Sequence, residues 1–258
     1  FDESTSAYCQ ARARLPVGCL QQALSDSATA ADRLSLQGVA DWTRPIKVVD
    51  ASSVRLPDTA ENRAVYPYPS GQRPGCGFPV MQLCGLYSLA SGAILKTVQA
   101  PWSVHEVRLF RDLEAELQSG DILMGDRPFG AYVLLALLPL RGVDVVTRLH
   151  QGRRFKRRDA KRIGPSEWLV TWRRPPQRPD YLTQEEWASV PETITVRIIH
   201  VRVHQRGFRT QELWISTTLL APIAYPAEQI AQLYRRRWDM ELCFRDLKTT
   251  MAWKNCAV

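Results

Sequence analysis

The sequence predicts an α/β protein in which a mixed five-stranded sheet, flanked by helices, is interrupted by a mainly β insertion. Three observations carry that prediction. Two short apolar runs each deliver an aspartate, Asp50 and Asp126; two strands with hairpin chemistry lie between them; and a stretch free of Gly and Pro, from about Pro226 to about Thr250, has helical periodicity. At 258 residues the chain can bury a large core, and 45% hydrophobic against 23% charged content is ordinary for a globular protein. With 34 Lys+Arg against 26 Asp+Glu, the formal charge of +8 favours a polyanionic partner. Charge alone does not separate nucleic acid from an acidic membrane surface. No apolar run approaches the length of a transmembrane helix, the longest being Ala131 to Leu138, and no stretch reads as a signal peptide. The six cysteines (Cys9, Cys19, Cys76, Cys84, Cys243, Cys256) form no C-x2-C pair and no zinc spacing with His, so reduced structural thiols in a cytosol are expected.

In chain order, Phe1 to about Asp41 reads as helical, and with no initiator Met the first residue reads as a cut end. Ile46-Lys-Val-Val-Asp50 is a β-branched run ending in a carboxylate, followed by small polar residues; a carboxylate where a strand leaves the core is well placed for a ligand. Asp58, after Pro57, reads as a turn, and Tyr66 to Gly77 holds too much Pro and Gly for helix or strand. Phe78–Leu89 and Ala93–Val98, separated by Ala-Ser-Gly, are expected to pair as antiparallel strands. Val104 to Gln118 reads as helical, with Val107, Phe110, Leu113 and Leu117 at core spacing, and His105 and Glu106 in its first turn as capping or surface groups. Ile122-Leu-Met-Gly-Asp126-Arg127-Pro-Phe is a brief buried strand that hands Asp126 to its end before Pro128 opens the next helix, and Gly142 to Thr147 makes a fifth strand.

From Gln151 to about Thr217 the pattern changes. Between Gln151 and Asp180 ten cations, among them Arg153 and Arg154, stand against three acids, with Trp168 and Trp172 interleaved. Cations supply charge for phosphates and flat aromatic faces suit unstacked bases, so a nucleic-acid groove is expected here. The bland alternative is a solvated charge run over two core tryptophans. Thr193 to His204 alternates as a strand, which puts His200 and His204 about 13 Å apart at strand rise and rules them out as a zinc pair. Phe208 to Thr218 reads as a further strand.

On the terminal stretch, Tyr234, Arg237, Glu241 and Lys248 fall within an arc of roughly 60° on a helical wheel. Ile230, Leu233, Met240, Phe244 and Leu247 occupy the neighbouring arc, so the polar stripe runs along the edge of a buried face. An ordinary amphipathic helix with Arg237–Glu241 pairing would give the same wheel. The spacing Y-x2-R-x3-E-x6-K, however, resembles the signature of the IS-four family of bacterial insertion-sequence transposases, and Asp126-Arg-x-Phe is similar to that family's second-Asp box. The resemblance spans about Ala7 to Met251.

That resemblance implies an RNase-H-like fold with a DDE active site, in which Asp50, Asp126 and Glu241 are the catalytic, metal-holding carboxylates. The cofactor it implies is Mg2+, with Mn2+ possible, as two ions: hard all-oxygen ligation selects such cations. Arg237 and Lys248 would hold phosphates near the cut with Tyr234 beside the same strand, and Arg127, Arg153, Arg154, Trp168 and Trp172 would contact DNA. The implied organisation is a helical segment over 1–41, a first part of the catalytic domain over 42–150, a basic β-rich insertion over 151–217 in which the family uses a tryptophan to receive a flipped base, and the completing helix over 218–258. The implied partners are transposon-end and target DNA, with a homodimer in the full-length DNA complex, no membrane, and a cytoplasmic, nucleoid-associated location in a bacterium. The implied reaction is strand cleavage at the transposon end, then attack of the freed 3′-hydroxyl on target DNA. Two rivals share the residues: a nuclease on the same fold without strand transfer, and a DNA-binding fragment impaired in catalysis.

Overall fold

A computed structural model describes residues 7, 10, 11, 14–35, 42–69, 71, 77–153, 155–203 and 211–237. Its centre is a nine-stranded sheet in the order β3-β2-β1-β4-β5-β9-β8-β7-β6. The first half holds the five strands expected: β1 (Ile46–Arg55), β2 (Val80–Ser88), β3 (Ile94–Pro101), β4 (Ile122–Gly125) and β5 (Asp144–Arg148). β1 is antiparallel to β2 and parallel to β4, which is parallel to β5. The strands of the insertion, β6 (Lys161–Gly164), β7 (Glu167–Arg173), β8 (Thr193–Val203) and β9 (Gln211–Thr217), continue the same sheet, because β9 pairs antiparallel with β5.

Two apolar layers sandwich this sheet. On one face Val49, Cys84, Leu86, Leu123 and Val145 meet α3 (Glu106–Phe110), the 3-10 turn that follows it over Arg111–Glu116, and α4 (Tyr132–Leu140). The same layer runs under the insertion through Trp168, Val170, Trp172, Val196 and Ile198. On the other face Ile46, Val48, Ile122, Met124 and Val146 meet Ile230, Ala231, Leu233 and Tyr234 of a terminal helix, described over 227–237. Coverage on both sides explains why every residue of β2 is buried.

Two local expectations, the end of β1 and the extent of the helix at Val104, are corrected, and two further helices are bounded. β1 does not end at Asp50: β2 pairs with it from Lys47 to Arg55, and that ladder holds Ala51-Ser52-Ser53 extended despite their weak strand preference. The stretch after Asp58 forms a short helix, α2 (Ala60–Val65), capped by the Thr59 hydroxyl, which accepts the Asn62 N–H at 3.2 Å. Asp58 itself accepts from Arg63 and from the Tyr68 hydroxyl. The helix expected from Val104 starts at Glu106 and tightens to 3-10 geometry at Arg111. In the N-terminal segment the helix α1 covers Val17–Leu34 and buries only Ala28 among its residues.

Two arginines, one partly and one fully buried, tie the sheet together. Arg44, just before β1, donates to Gly120 O (2.7 Å), Asp121 O (3.1 Å), Asp144 Oδ2 (2.6 Å) and the Tyr225 hydroxyl (3.1 Å), joining the starts of β1, β4 and β5. Arg197 on β8 is fully buried. It pairs with Glu167 through Nε (2.7 Å) and Nη2, and donates from Nη1 to Leu219 O (3.2 Å) and Tyr225 O (2.7 Å), anchoring the segment that leads into the terminal helix. Removing one member of such a pair strands the other in a dry site. Arg197→Met is therefore expected to cost about 3–5 kcal/mol in urea unfolding, and the double change Arg197→Met with Glu167→Leu to recover most of that loss.

Candidate active site

The register of three parallel strands builds the site. Ile46, Lys47 and Val48 lie opposite Ile122, Leu123 and Met124, and Asp126 continues in extended conformation (φ −82°, ψ −174°), so the same offset carried two residues on sets Asp50 across from Asp126. Gly125 lies opposite Thr147, so one step on Arg148 falls beside Asp126. On the other side Asp50 pairs directly with Gly85. Gly85, Asp50, Asp126 and Arg148 thus form one row across the sheet. Neighbouring strands are roughly 4.8 Å apart, and alternation puts the three side chains on the face of Val48, Met124 and Val146, where the terminal helix packs. β4 ends at Gly125 and a 3-10 turn follows over Arg127–Gly130, so among the described strands none continues beside β1 beyond Asp50 on that flank, and the row lies at the rim of the core.

The terminal helix reaches this row through Tyr234, whose hydroxyl donates to Asp126 Oδ1 at 3.3 Å. Tyr234 is 1% and Arg237 5% exposed, so this part of the stripe is an interior edge and not a solvated face. Arg237 lies 5.6 Å from the Tyr234 ring. Burial raises the Tyr234 phenol well above its usual range, with the Asp126 charge adding and Arg237 and Arg148 opposing, so it serves as a neutral donor at physiological pH. Glu241 and Lys248 lie outside the described residues, as does Arg154.

Asp50 and Asp126 supply hard oxygen donors at matching positions on adjacent strands, which fits a small divalent cation. Among the described residues no group of three possible ligands converges, so a complete site would draw its third ligand from elsewhere. Asp50 Oδ1 accepts the Ala51 N–H at 3.0 Å, which fixes one oxygen. Two groups on the opposite face feel the same charges. Burial pushes the Cys84 thiol up to about 12, with Glu106 and Asp50 adding, so it stays protonated and inert. Glu106, expected at the surface, is half-buried, receives Gln82 Nε2 at 3.4 Å, and is raised by burial and then by Asp126, against His105 and Gln82. His105 is the cap of α3, as expected.

Beside the row opens a basic cleft. A cavity of about 470 Å³ is walled by Arg127, Arg148, His150, Arg153, Arg157 and Trp214. A larger one, about 700 Å³, shares Arg127, His150 and Arg153 and extends to Tyr132, Tyr181 and Trp187. Trp168 and Trp172 are not open stacking faces: they are 6% and 8% exposed, in the core layer under the insertion. Aromatic bulk in this charged segment turns inward because alternation on β7 puts both rings on the sheet face that shares the apolar layer with α4. They act as floors, with the Arg157 guanidinium 5.2 Å above Trp168 and that of Arg153 4.5 Å above Trp172. Arg153 has no carboxylate within ion-pair distance among the described residues, and burial lowers its pKa, a desolvated cation without a counter-charge. Arg127 donates to Gln151 at 3.4 Å, and among the described residues its buried Nε has no acceptor. Sequence reasoning passed over Arg148 and Trp214 and read Glu106 as a capping or surface group. Only Arg148 had a usable signal, as the last residue of a strand running parallel to the Asp126 strand.

A family model described as the transposase DDE domain matches residues 41–258. The chain is also 22% identical over 205 residues to the transposase InsG for insertion sequence element IS4 of Escherichia coli (strain K12). That similarity covers 79% of the chain and 44% of the relative, so the chain spans less than half the length of the curated relative it matches.

Gly125 sets the approach of Asp126 to the row. A Cβ there would sit 2.9 Å from Phe129 Cβ, near the root of a side chain that is 1% exposed and packs edge-on against Phe110. Gly125→Ala is expected to cost about 1–3 kcal/mol in chemical denaturation by overpacking this turn.

Proposed function

The chain belongs to the transposase DDE domain family, and from that premise we propose that it is the catalytic core of a DNA transposase that cleaves phosphodiester bonds at transposon ends and joins the freed 3′-hydroxyl to target DNA. The observation that carries this reading is the row itself: two aspartates at matching positions on adjacent parallel strands, with a tyrosine of the Y-x2-R-x3-E-x6-K helix bonded to one of them. Asp50, Asp126 and Glu241 are assigned as the carboxylates that hold a pair of divalent ions, Mg2+ or Mn2+. When bound, these ions supply activation of a water or a 3′-hydroxyl and stabilisation of the leaving oxygen during in-line displacement.

The chain's own residues do the rest. Tyr234 fixes the orientation of Asp126 by donating to Oδ1, leaving the second oxygen for ligation. Arg148 and Arg237 bring positive charge beside the aspartates, where a backbone phosphate and the charge developing on it are stabilised; Lys248 is assigned the same work further along the helix. Arg127, Arg153 and Arg154, with Arg157, hold the DNA backbone along the cleft. Arg153 and Arg157 are pre-ordered by the tryptophans beneath them, which lowers the entropy lost on meeting a phosphate. Trp214, stacked on His200, and Trp187, under the Arg174 guanidinium, are the half-buried tryptophans on the cavity walls. In this reading the partner is DNA, with two copies of the whole protein bridging two ends. No described helix is long and apolar enough to cross a membrane.

Asp126→Ala is expected to reduce Mg2+-dependent nicking of a transposon-end duplex by at least about 10³-fold while leaving duplex binding in place; undiminished nicking would remove Asp126 from the site. A strand-transfer assay with pre-cut ends separates a transposase from a nuclease, since only the former joins a 3′-hydroxyl to plasmid DNA. Arg153→Gln is expected to weaken duplex binding evenly across sequences and to lower the slope of log K against log salt by about 1, as loss of one phosphate contact requires.

A further inference from the structure

The polar side chains on the wall of the larger cavity are, with one exception, able to donate a hydrogen bond. Arg108, Arg127, Arg153, His105 and His150 all reach it, and its lone carboxylate is Asp180. The Asp180 side chain is 84% exposed and lies 3.8 Å from that of Arg108, itself 58% exposed, so this pair sits at the mouth and not in the interior. Further in, the Arg153 guanidinium rests on Trp172 and Tyr132 with no carboxylate in ion-pair distance among the described residues, and the buried Nε of Arg127 has no acceptor there either. The two histidines are donors by tautomer. Nδ1 of His105 accepts the Val107 N–H at 3.4 Å, and Nδ1 of His150 accepts the Gly152 N–H at 3.1 Å. A neutral imidazole that accepts through Nδ1 carries its hydrogen on Nε2, so each ring keeps one N–H to give. The start of α4, where Ala131 supplies no side-chain cap, adds partial positive charge from the same wall.

Cations removed from water without a counter-charge are costly, and an anion with several oxygens relieves that cost. The cavity's volume of about 700 Å³ is that of a small-ligand site, and Pro175, Pro179, Tyr181 and Trp187 of the insertion complete its wall, so it suits a strand end or a single nucleotide and not a continuous duplex. A diester within a strand offers two free oxygens and one charge. A phosphomonoester offers three acceptor oxygens and a charge of about −1.5 to −2 near neutral pH, the better match for donors arriving from several sides. The proposed cleavage makes such a group: the water oxygen joins phosphorus, the bond from phosphorus to the 3′-oxygen breaks, that oxygen takes a proton, and the phosphate stays on the 5′ end of the departing strand. Arg127, the residue after Asp126, lines both cavities, so one basic wall leads from the acids to this one.

We propose that the larger cavity is a phosphomonoester subsite, with Arg127, Arg153, His105 and His150 as its donors, and that it takes the 5′-phosphate of the strand released by cleavage. The donor set is independent of any metal; only the source of the phosphate rests on the proposed cleavage. A free nucleoside 5′-monophosphate presents the same group.

Calorimetric titration of the whole protein in EDTA tests this, with two single-stranded oligonucleotides of one sequence, one ending in a 5′-phosphate and one in a 5′-hydroxyl. The phosphorylated strand is expected to bind about tenfold more tightly, through added charge-assisted hydrogen bonds. His105→Asn and His150→Asn each keep an acceptor for the local backbone N–H and withdraw the Nε2 donor; together they are expected to bring the two affinities within about threefold, with the urea midpoint within error of the parent. Equal binding of the two strands by the parent overturns the subsite. A tenfold preference that survives in the double variant puts the selectivity elsewhere and overturns the assignment to this cavity. Deoxyadenosine 5′-monophosphate separates the sources: binding weaker than that of the phosphorylated strand supports the strand end, and equal binding overturns it in favour of a free nucleotide. With no metal present, failure here leaves the cleavage assignment standing, and undiminished nicking by Asp126→Ala would leave the subsite standing.

Discussion

The parallel pairing of β1 with β4 is the constraint on which the site depends. Asp50 and Asp126 come from stretches separated by most of the meander and by α3, and only this ladder makes them neighbours. Side chains alternate between faces along a strand, so a slip of one residue would send Asp126 to the face of Leu123 and Cys84, away from the terminal helix. The register is held at the end remote from the acids. Arg44 bridges the starts of β1, β4 and β5, and Lys47 pairs with the 3%-exposed Asp121 at 2.8 Å. Apolar side chains alone would tolerate a shifted ladder; a guanidinium with four acceptors at fixed positions does not.

The same anchors govern the terminal helix. Arg44 and Arg197 both reach Tyr225, one through the hydroxyl and the other through the carbonyl, and Trp42 stacks on its ring at 5.9 Å. Ile230, Ala231 and Leu233 then bury the helix on Val48, Met124 and Val146, and this sets Tyr234 over Asp126. Each link is local, yet their order matters. The ion pair of Arg197 with Glu167 sits on β8 and β7, so the insertion, by its shared sheet, fixes the start of the helix that meets the acids.

What was legible in the sequence was what depends on near neighbours along the chain. Asp50, Asp126, Tyr234 and Arg237 could be singled out because strand runs, a following Pro and a 3.6-residue period are local signals. The meander was legible for the same reason, through its Gly-containing hairpin. What escaped depends on distant pairing. β1 continues past Asp50 because β2 holds it, a fact invisible in Ala51-Ser52-Ser53. Trp168 and Trp172 looked like DNA contacts because interleaved cations and aromatics read alike whether the rings face outward or form a floor under arginines. Arg148 and Glu106 acquire meaning only from the strand or turn beside them, and Arg197, fully buried, stands in a β-branched run where a cation suggests solvent. Glu241 and Lys248 lie outside the described residues, so the stripe is seen in place only as far as Arg237.

Continuity of the sheet also bears on how the cleft and the acids act together. Arg148 ends β5, lines the basic cavity, and stands in the row beside Asp126, so it belongs to both. β5 pairs with β9, whose Trp214 forms the far wall of that cavity and stacks on His200 at 4.2 Å. Distances between cleft and acids are therefore set by backbone ladders, which resist shear better than a hinge between separate domains would. On the proposed reading, a phosphate held between Arg148 and Arg153 would be referenced to the aspartates through hydrogen-bonded strands. For a displacement whose rate falls steeply with an ångström of misplacement, placing the binding surface and the acids on one sheet removes the degree of freedom that would cost most.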